Sequence, residues 1–155
     1  MSGVRETQFN SEVIKSLRAE GAWCYKIPDS PTSWTMRQTR FTPAKPCDIV
    51  GCYLGEFFAI EGKQMKKFQA FGLRQLRDGQ IKSLNEIEAA GGKAFVFLNV
   101  RIKRPLTNNL YVFFWPEYKL IWENGPLKKR DLEGLIPIKG GKGVFPLADF
   151  RYRFV

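Results

Sequence analysis

The amino-acid sequence predicts a single α/β domain in which helices flank a central β-sheet. Short apolar runs typical of buried strands alternate with segments whose apolar residues recur at helical spacing. The predicted order of elements is α-β-β-β-α-β-β-α. A chain of 155 residues, 44% of them hydrophobic, is long enough to form one core. We therefore expect one domain over residues 1–155.

The first predicted element is a helix over residues 6–20. Phe9, Val13 and Leu17 recur every four residues, which places them on one face that can pack against a sheet. A strand over residues 22–27 is expected to follow it.

Residues 28–46 are predicted to form a long basic loop. They include four prolines and the basic residues Arg37, Arg40 and Lys45. Loops of this length are uncommon inside compact domains and are often functional. A functional loop near the site and a surface loop without a functional role both fit this composition.

A strand pair over residues 47–52 and 56–63 is predicted to form the centre of the sheet. Gly55 lies in the connection and suits a turn that needs a positive φ. The second strand begins with an almost wholly apolar run, which indicates that it is covered on both faces.

The remaining elements follow from apolar periodicity and from glycine and proline positions. They are a helix over 73–90, strands over 93–100 and 110–115, a short helix over 117–123 and an irregular C-terminal extension over 124–155 that holds one small helix near Asp131.

Three residues of the central strand pair carry the most specific functional signal. In extended backbone Glu61 and Lys63 point to the same face, and a hairpin brings Asp48 beside them. Two converging carboxylates suit a hard divalent cation, and a neighbouring ammonium can orient a water molecule. The pattern therefore predicts metal-assisted hydrolysis of phosphodiesters. A solvated surface pair of Glu61 and Lys63 is the plain alternative.

The rest of the composition excludes several classes of site. The absence of histidine excludes Ser-His-Asp and Cys-His nucleophilic machinery and histidine-ligated metals. The cysteines Cys24, Cys47 and Cys52 are odd in number and lack C-x-x-C spacing, so we expect no disulfide framework and no structural zinc site. We expect all three to be small buried residues.

The charge balance predicts a polyanionic partner. Lysine and arginine number 25 against 15 acidic residues, for a net charge of +10. Because these cations are spread along the chain among aromatic residues, a nucleic-acid groove fits better than a membrane surface. The sequence shows neither a membrane-length apolar run nor a secretory start, so a cytoplasmic location is expected.

The helix, the strand pair and the motif residues resemble the PD-(D/E)XK nuclease superfamily. The motif reads Pro46-Cys47-Asp48 and Glu61-Gly62-Lys63. Within that superfamily the middle third of the chain is most similar to the RecU-type and archaeal Hjc-type Holliday junction resolvases, through residues 48–63, 78–81 and 91–98. The resemblance implies a restriction-endonuclease-like core with a central mixed β-sheet.

The resemblance also implies an activity. It implies a homodimer that depends on Mg2+ or Mn2+ and resolves four-way DNA junctions by paired nicks, in a bacterium or in a phage-infected cell. Asp48 and Glu61 would bind metal, Lys63 would position the attacking water, and Gln64 would assist.

The first helix departs from the family pattern, because Asn10 stands near the place of the family's glutamate. Glu6, one turn earlier on the same flank, is our candidate for the third acid of the metal site, and Glu12 is the alternative. The candidate contacts to DNA phosphates are basic residues, namely Arg37, Arg40, Lys66, Lys67, Arg74, Arg77, Lys128, Lys129 and Arg130.

Two other functions fit the same residues. One is a restriction-type or repair-type nuclease that cuts duplex DNA on the same core. The other is a non-catalytic nucleic-acid-binding protein on a degenerate nuclease core, which Asn10 makes worth testing.

Overall fold

The structure is a computed structural model. It describes residues 2–29 and 45–154, but not the side chains of residues 2–6 and 153. Most of the predicted loop over 28–46, including Arg37 and Arg40, therefore lies outside the described residues. The described part is a six-stranded mixed sheet flanked by helices, as the sequence predicts.

The helices and strands follow the predicted order, with small additions near the C-terminal end. The helices are α1 (Ser2–Ala19), α2 (Asp78–Ala89), α3 (Trp115–Glu123) and α4 (Lys129–Glu133), with short 3-10 turns at Leu73–Gln75 and Ala148–Arg153. The strands are β1 (Trp23–Lys26), β2 (Ile49–Tyr53), β3 (Glu56–Met65), β4 (Lys93–Ile102), β5 (Thr107–Phe114) and β6 (Ile138–Lys139).

The strands lie in the sheet in their sequence order, β1 to β6. Among the strands of the described residues, only β3 and β4 pair in parallel, and α2 lies in the connection between them. The other neighbouring pairs are antiparallel. A parallel pair needs a crossover, and the helix of the crossover covers one face of the sheet.

Hydrophobic layers cover both faces of the sheet. On the first face, Phe9, Val13 and Leu17 of α1 are buried, which confirms the predicted stripe. On the second face, α2 and α3 contribute Leu84 and Trp122. The residues of β3 and β4 are therefore buried on both sides, as the apolar run predicts.

The β2–β3 hairpin closes through a two-residue turn. Leu54 has φ +52° and Gly55 has φ +81°, so the glycine adopts the predicted positive φ. Cys24 and Cys47 are buried as expected. The prediction for Cys52 is wrong: it is exposed, because alternation along β2 turns its side chain to solvent.

The helix predicted over 73–90 begins later than expected. Leu73–Gln75 forms a 3-10 turn, Arg77 is extended, and α2 begins at Asp78. The physical reason is a side-chain cap, since Gln80 Oε1 accepts a hydrogen bond of 2.9 Å from the Arg77 N–H.

The segment over 124–155 is more ordered than predicted. The small helix near Asp131 is confirmed as α4, but β6 also extends the sheet beside β5. The aromatic side chains of Phe145, Phe150 and Phe154 are buried in the layer that contains α1. Phe150 packs against Phe95 with ring centroids 5.0 Å apart, so this segment forms part of the core.

Among the helices in the described part of the chain, none has the length and apolar character needed to cross a membrane.

Replacing Phe150 by alanine tests the contribution of this segment to the core. Phe150 is 5% exposed, and truncating a buried aromatic side chain costs about 3–5 kcal/mol of unfolding free energy. Urea denaturation should show that loss. Tyr152→Ala is the matched control, because Tyr152 is 63% exposed and its truncation should cost less than about 0.5 kcal/mol. Equal losses in the two variants would contradict a core role for Phe150.

Candidate active site

The two predicted carboxylates converge where β2 begins alongside β3. The Asp48 N–H donates a hydrogen bond of 3.1 Å to the carbonyl oxygen of Ile60. The carboxylate Oδ2 of Asp48 accepts a hydrogen bond of 2.8 Å from the Gly62 N–H. Gly62 directly follows Glu61 in β3. The backbone of the hairpin therefore holds Asp48 beside Glu61.

Glu61 and Lys63 lie on the same face of β3, and Gln80 of α2 joins them. Lys63 Nζ lies 3.4 Å from Glu61 Oε1. Gln80 Nε2 donates a hydrogen bond of 2.7 Å to Glu61 Oε1, and Gln80 Oε1 accepts one of 3.2 Å from Lys63 Nζ. One amide group thus sets the relative positions of the carboxylate and the ammonium.

The carboxylate of Glu61 lies in an unfavourable environment for negative charge. Glu61 is 2% exposed and Asp48 is 7% exposed. Burial, followed by the nearby Asp48 carboxylate, raises the pKa of Glu61 from its ordinary 4.5 to about 8, although Lys63 opposes the shift. Two buried carboxylates this close attract a cation strongly.

Lys45 supplies one positive charge to this cluster. Its Nζ lies 2.6 Å from Asp48 Oδ1 and also pairs with Asp29. Asp29 and Lys45 flank residues 30–44, so these ion pairs join the two ends of that segment at the carboxylate cluster.

Asn10 of α1 contributes a further oxygen near the Asp48 carboxylate. Asn10 is 5% exposed, and its Oδ1 has no hydrogen-bond partner among the described residues. A Cβ atom on Gly62 would lie 2.5 Å from this oxygen and 3.4 Å from Asp48 Oδ2. The glycine therefore leaves the space in which the two oxygens approach each other.

These groups line a polar cleft of about 240 Å3. Its walls come from α1, the segment before β2, β3 and the start of α2. The lining residues are Thr7, Asn10, Lys26, Asp29, Lys45, Asp48, Glu61, Gly62, Lys63, Arg77 and Gln80.

Two of the predicted site residues lie elsewhere. Gln64 points to the other face of β3, where its Nε2 donates a hydrogen bond of 2.9 Å to Asn99 Oδ1. The carboxylate of Glu12 pairs with Arg101 at 2.5 Å. The structure thus brings neither of them into the cleft.

The assignment of the helical acid to Glu6 stays a prediction, because the side chain of Glu6 lies outside the described residues, as do Arg37 and Arg40. Among the other predicted DNA contacts, Arg77 lines the cleft. The remaining ones are exposed at other places, namely Lys66, Lys67, Arg74, Lys128, Lys129 and Arg130.

Sequence reasoning missed the roles of Gln80 and Lys45. Gln80 belongs to a segment that resembles the family, but its position at the third residue of α2 depends on where that helix begins. Lys45 stands three residues before Asp48 in the irregular segment that precedes β2, where no periodicity predicts the direction of a side chain.

Comparison with known proteins identifies the family. A family model described as RecU, "Recombination protein U", matches residues 24–133, which is more than half of the chain. The chain belongs to the RecU family. The matched range includes Asp48, Glu61, Lys63 and Gln80.

A curated RecU protein and a solved structure are similar to this chain. "Holliday junction resolvase RecU" of Bacillus pumilus (strain SAFR-032) is 26% identical over 87 residues, which is 55% of this chain and 42% of that protein. The chain therefore matches less than half of that relative's length. Hjc of Archaeoglobus fulgidus, a Holliday junction resolvase, matches with a TM-score of 0.53 and 17% identity over 96% of this chain and 99% of the other. This likeness confirms the predicted fold.

The raised pKa of Glu61 predicts a pH-dependent stability for the metal-free RecU-family chain. The Glu61 carboxyl group binds its proton more tightly in the folded state than in the unfolded state. The stability that this proton binding contributes is fully present below pH 4.5 and is lost as the pH rises towards about 8. Urea unfolding in EDTA at several pH values should show this decline, and Glu61→Gln should flatten it.

Glu86→Gln is the matched control for this measurement, because the Glu86 side chain is 65% exposed. It should leave the pH profile of the unfolding free energy unchanged. If Glu61→Gln and Glu86→Gln gave the same profile, the burial of a proton-binding Glu61 would be refuted.

Proposed function

We propose that this chain is a metal-dependent, structure-selective DNA endonuclease that resolves four-way junctions by paired phosphodiester nicks. The observation that carries the proposal is the convergence of Asp48, Glu61 and Lys63 in one polar cleft. Membership of the RecU family supports it, and so does the similarity to the Holliday junction resolvase RecU of Bacillus pumilus.

The residues of the cleft fit a Mg2+ or Mn2+ ion. The described residues contain no cluster of three or more histidine, cysteine, aspartate or glutamate ligands, so Asp48 and Glu61 would provide the charged ligands. Mg2+ is commonly held by one or two carboxylates and keeps several of its waters. The unpartnered Oδ1 of Asn10 adds a neutral oxygen on the same side as Asp48. Glu6 remains a candidate for a further ligand.

A divalent cation bound there would lower the pKa of a bound water and offset the charge that develops on the phosphate. Lys63 adds a positive charge beside Glu61, where it can orient the attacking water. Gln80 holds the Lys63 ammonium and the Glu61 carboxylate in place, so that neither has to reorient during the reaction. Arg77 at the mouth of the cleft can bind the phosphate of the substrate.

The proposed substrate is branched DNA. The net charge of +10 supports contacts with phosphates, which give affinity without choosing a sequence. A junction enzyme needs such contacts, because it must recognise a shape at any sequence. Its place of action would be the cytoplasm of a bacterium or of a phage-infected cell.

The proposed active form is a homodimer, because paired nicks need two active sites. A row of exposed side chains crosses β1, β2 and β3. Trp23, which is 65% exposed, lies beside the exposed Cys52, and Cys52 lies beside Phe57, which is 46% exposed. Exposed aromatic side chains in a row are typical of protein contact surfaces.

Cleavage of labelled DNA tests the proposed activity. A four-way junction, a linear duplex and a single strand are each incubated with Mg2+ or with EDTA. We expect paired nicks in the junction with Mg2+ only. Asp48→Asn and Lys63→Ala should lower the cleavage rate by about a hundredfold or more, while junction binding in EDTA is retained.

Lys82→Ala, a change of an exposed lysine on α2, is the control and should cleave like the unchanged chain. Equal cutting of linear duplex would favour the restriction or repair type of nuclease. Binding without any metal-dependent cleavage would favour the non-catalytic alternative.

Asn10→Asp tests the fit of the metal. A third carboxylate with nearly the same shape raises the charge of the ligand set, so Mg2+ should bind several-fold more tightly. The thermal shift on adding Mg2+ should therefore be larger than for the unchanged chain, and in EDTA the variant should be less stable because like charges repel. Asn10→Ala is the control that removes the oxygen. A smaller Mg2+ shift for Asn10→Asp than for Asn10→Ala would exclude Asn10 from the metal site.

A further inference from the structure

A second concave surface lies near the C-terminal ends of β3 and β4 and the start of β5. It consists of two adjoining depressions, of about 530 and 130 Å3, that share Arg101. We call this surface the basic cleft, after its cationic lining residues Lys66, Arg101, Lys103, Lys139 and Lys142.

The positive charge of the basic cleft is mostly uncompensated. Glu12 neutralises Arg101, with 2.5 Å between the two side chains. Among the side chains that the structure describes, those of residues 7–29, 45–152 and 154, none of the four lysines forms an ion pair with an acidic group. Four neighbouring ammonium groups repel one another, and a polyanion relieves that repulsion.

The floor of the basic cleft is a buried network of amides. Asn99 is fully buried, and its Oδ1 accepts the 2.9 Å hydrogen bond from Gln64. Its Nδ2 donates hydrogen bonds to Asn108 Oδ1 at 2.8 Å and to the Asn109 carbonyl at 3.0 Å. A satisfied buried network of this kind is rigid, so the cleft is a preformed surface.

One lysine of the cleft has an unusual backbone conformation. Lys142 has φ +54°, a left-handed conformation in which glycine or asparagine is normally found. Non-glycine residues in this conformation cluster at functional sites. Lys142 therefore occupies a turn position that ordinarily selects a different residue type.

Helix α1 separates the basic cleft from the active-site cleft. Thr7 and Asn10 line the active-site cleft on one flank of the helix. Gln8 lines the basic cleft on the other flank, and Glu12 pairs with Arg101 of that cleft. A polymer bound in the basic cleft is therefore a different stretch of backbone from the one that is hydrolysed.

We propose that the basic cleft binds the phosphodiester backbone of a second DNA strand, apart from the strand that is cut. This inference rests on the proposed function and assigns to the substrate a second contact surface. Lysine ammonium groups on flexible side chains bind phosphates as point charges, so the contact is independent of sequence. The two depressions meet at Arg101, so a strand that lies in one can continue into the other.

The test compares two double variants that remove the same charge. Lys139→Gln/Lys142→Gln changes the basic cleft, whereas Lys82→Gln/Lys119→Gln changes lysines on α2 and α3. Arg101 is left intact because its loss would leave Glu12 unpaired. Fluorescence anisotropy measures binding to a labelled four-way junction in EDTA over a series of salt concentrations.

We expect Lys139→Gln/Lys142→Gln to weaken junction binding by about tenfold and to reduce the slope of log affinity against log salt by about 2, since each lost phosphate contact removes about 0.9. The control variant should keep the slope and the affinity of the unchanged chain. Thermal unfolding verifies that both variants fold. The control variant should also cleave the junction at the rate of the unchanged chain.

If the two double variants bind the junction equally well, the basic cleft has no specific role and the inference is overturned. This result is distinguishable from failure of the proposed function. A chain that binds DNA through the basic cleft but never cleaves it would refute the nuclease and leave the binding surface supported. If the chain cleaves junctions and the Lys139→Gln/Lys142→Gln variant binds them as tightly as the unchanged chain, the nuclease is supported and the binding surface is refuted.

Discussion

The hydrogen bond from the Gly62 N–H to Asp48 is the interaction on which the rest of the site depends. It ties the residue that precedes β2 to a backbone position on β3 that does not depend on any side chain. Gly62 also leaves room for Asn10, so helix α1 can approach the same point. A backbone donor is rigid, and it therefore places two carboxylates together at a fixed distance, which flexible side-chain contacts would not achieve.

The burial of Glu61 makes its charged form costly. β3 is covered on both faces, so its carboxylate is removed from water beside a second one. Lys63 and the amide of Gln80 offset part of this cost, and Lys45 pairs with the neighbouring Asp48. Groups whose pKa is shifted this far by burial and by a like charge cluster at functional sites, and a divalent cation would relieve the repulsion under the proposed function.

The sequence predicted those parts of the fold that periodicity controls. The stripe of α1, the β2–β3 hairpin and the doubly buried β3 follow from regular spacing of apolar residues. The shared face of Glu61 and Lys63 follows from the two-residue period of strands, and the place of Asp48 beside them follows from the hairpin. Gln80 was not predictable, because a side-chain cap shortened its helix and no periodic signal reports a cap. The core role of Phe150 was also missed, since its neighbours form no regular helix or strand and only long-range aromatic packing gives them order.

The two-residue turn at Leu54 and Gly55 is the place in the β2–β3 hairpin where residues can be inserted or deleted without changing the strand register. A residue lost within β2 or β3 would turn every later side chain of that strand to the opposite face, and it would separate Glu61 from Asp48. An extra residue at the turn would be absorbed as a longer loop, with the ladder unchanged. Length differences among homologues should therefore accumulate at the tip of this hairpin, while the strands that lead to it keep their length.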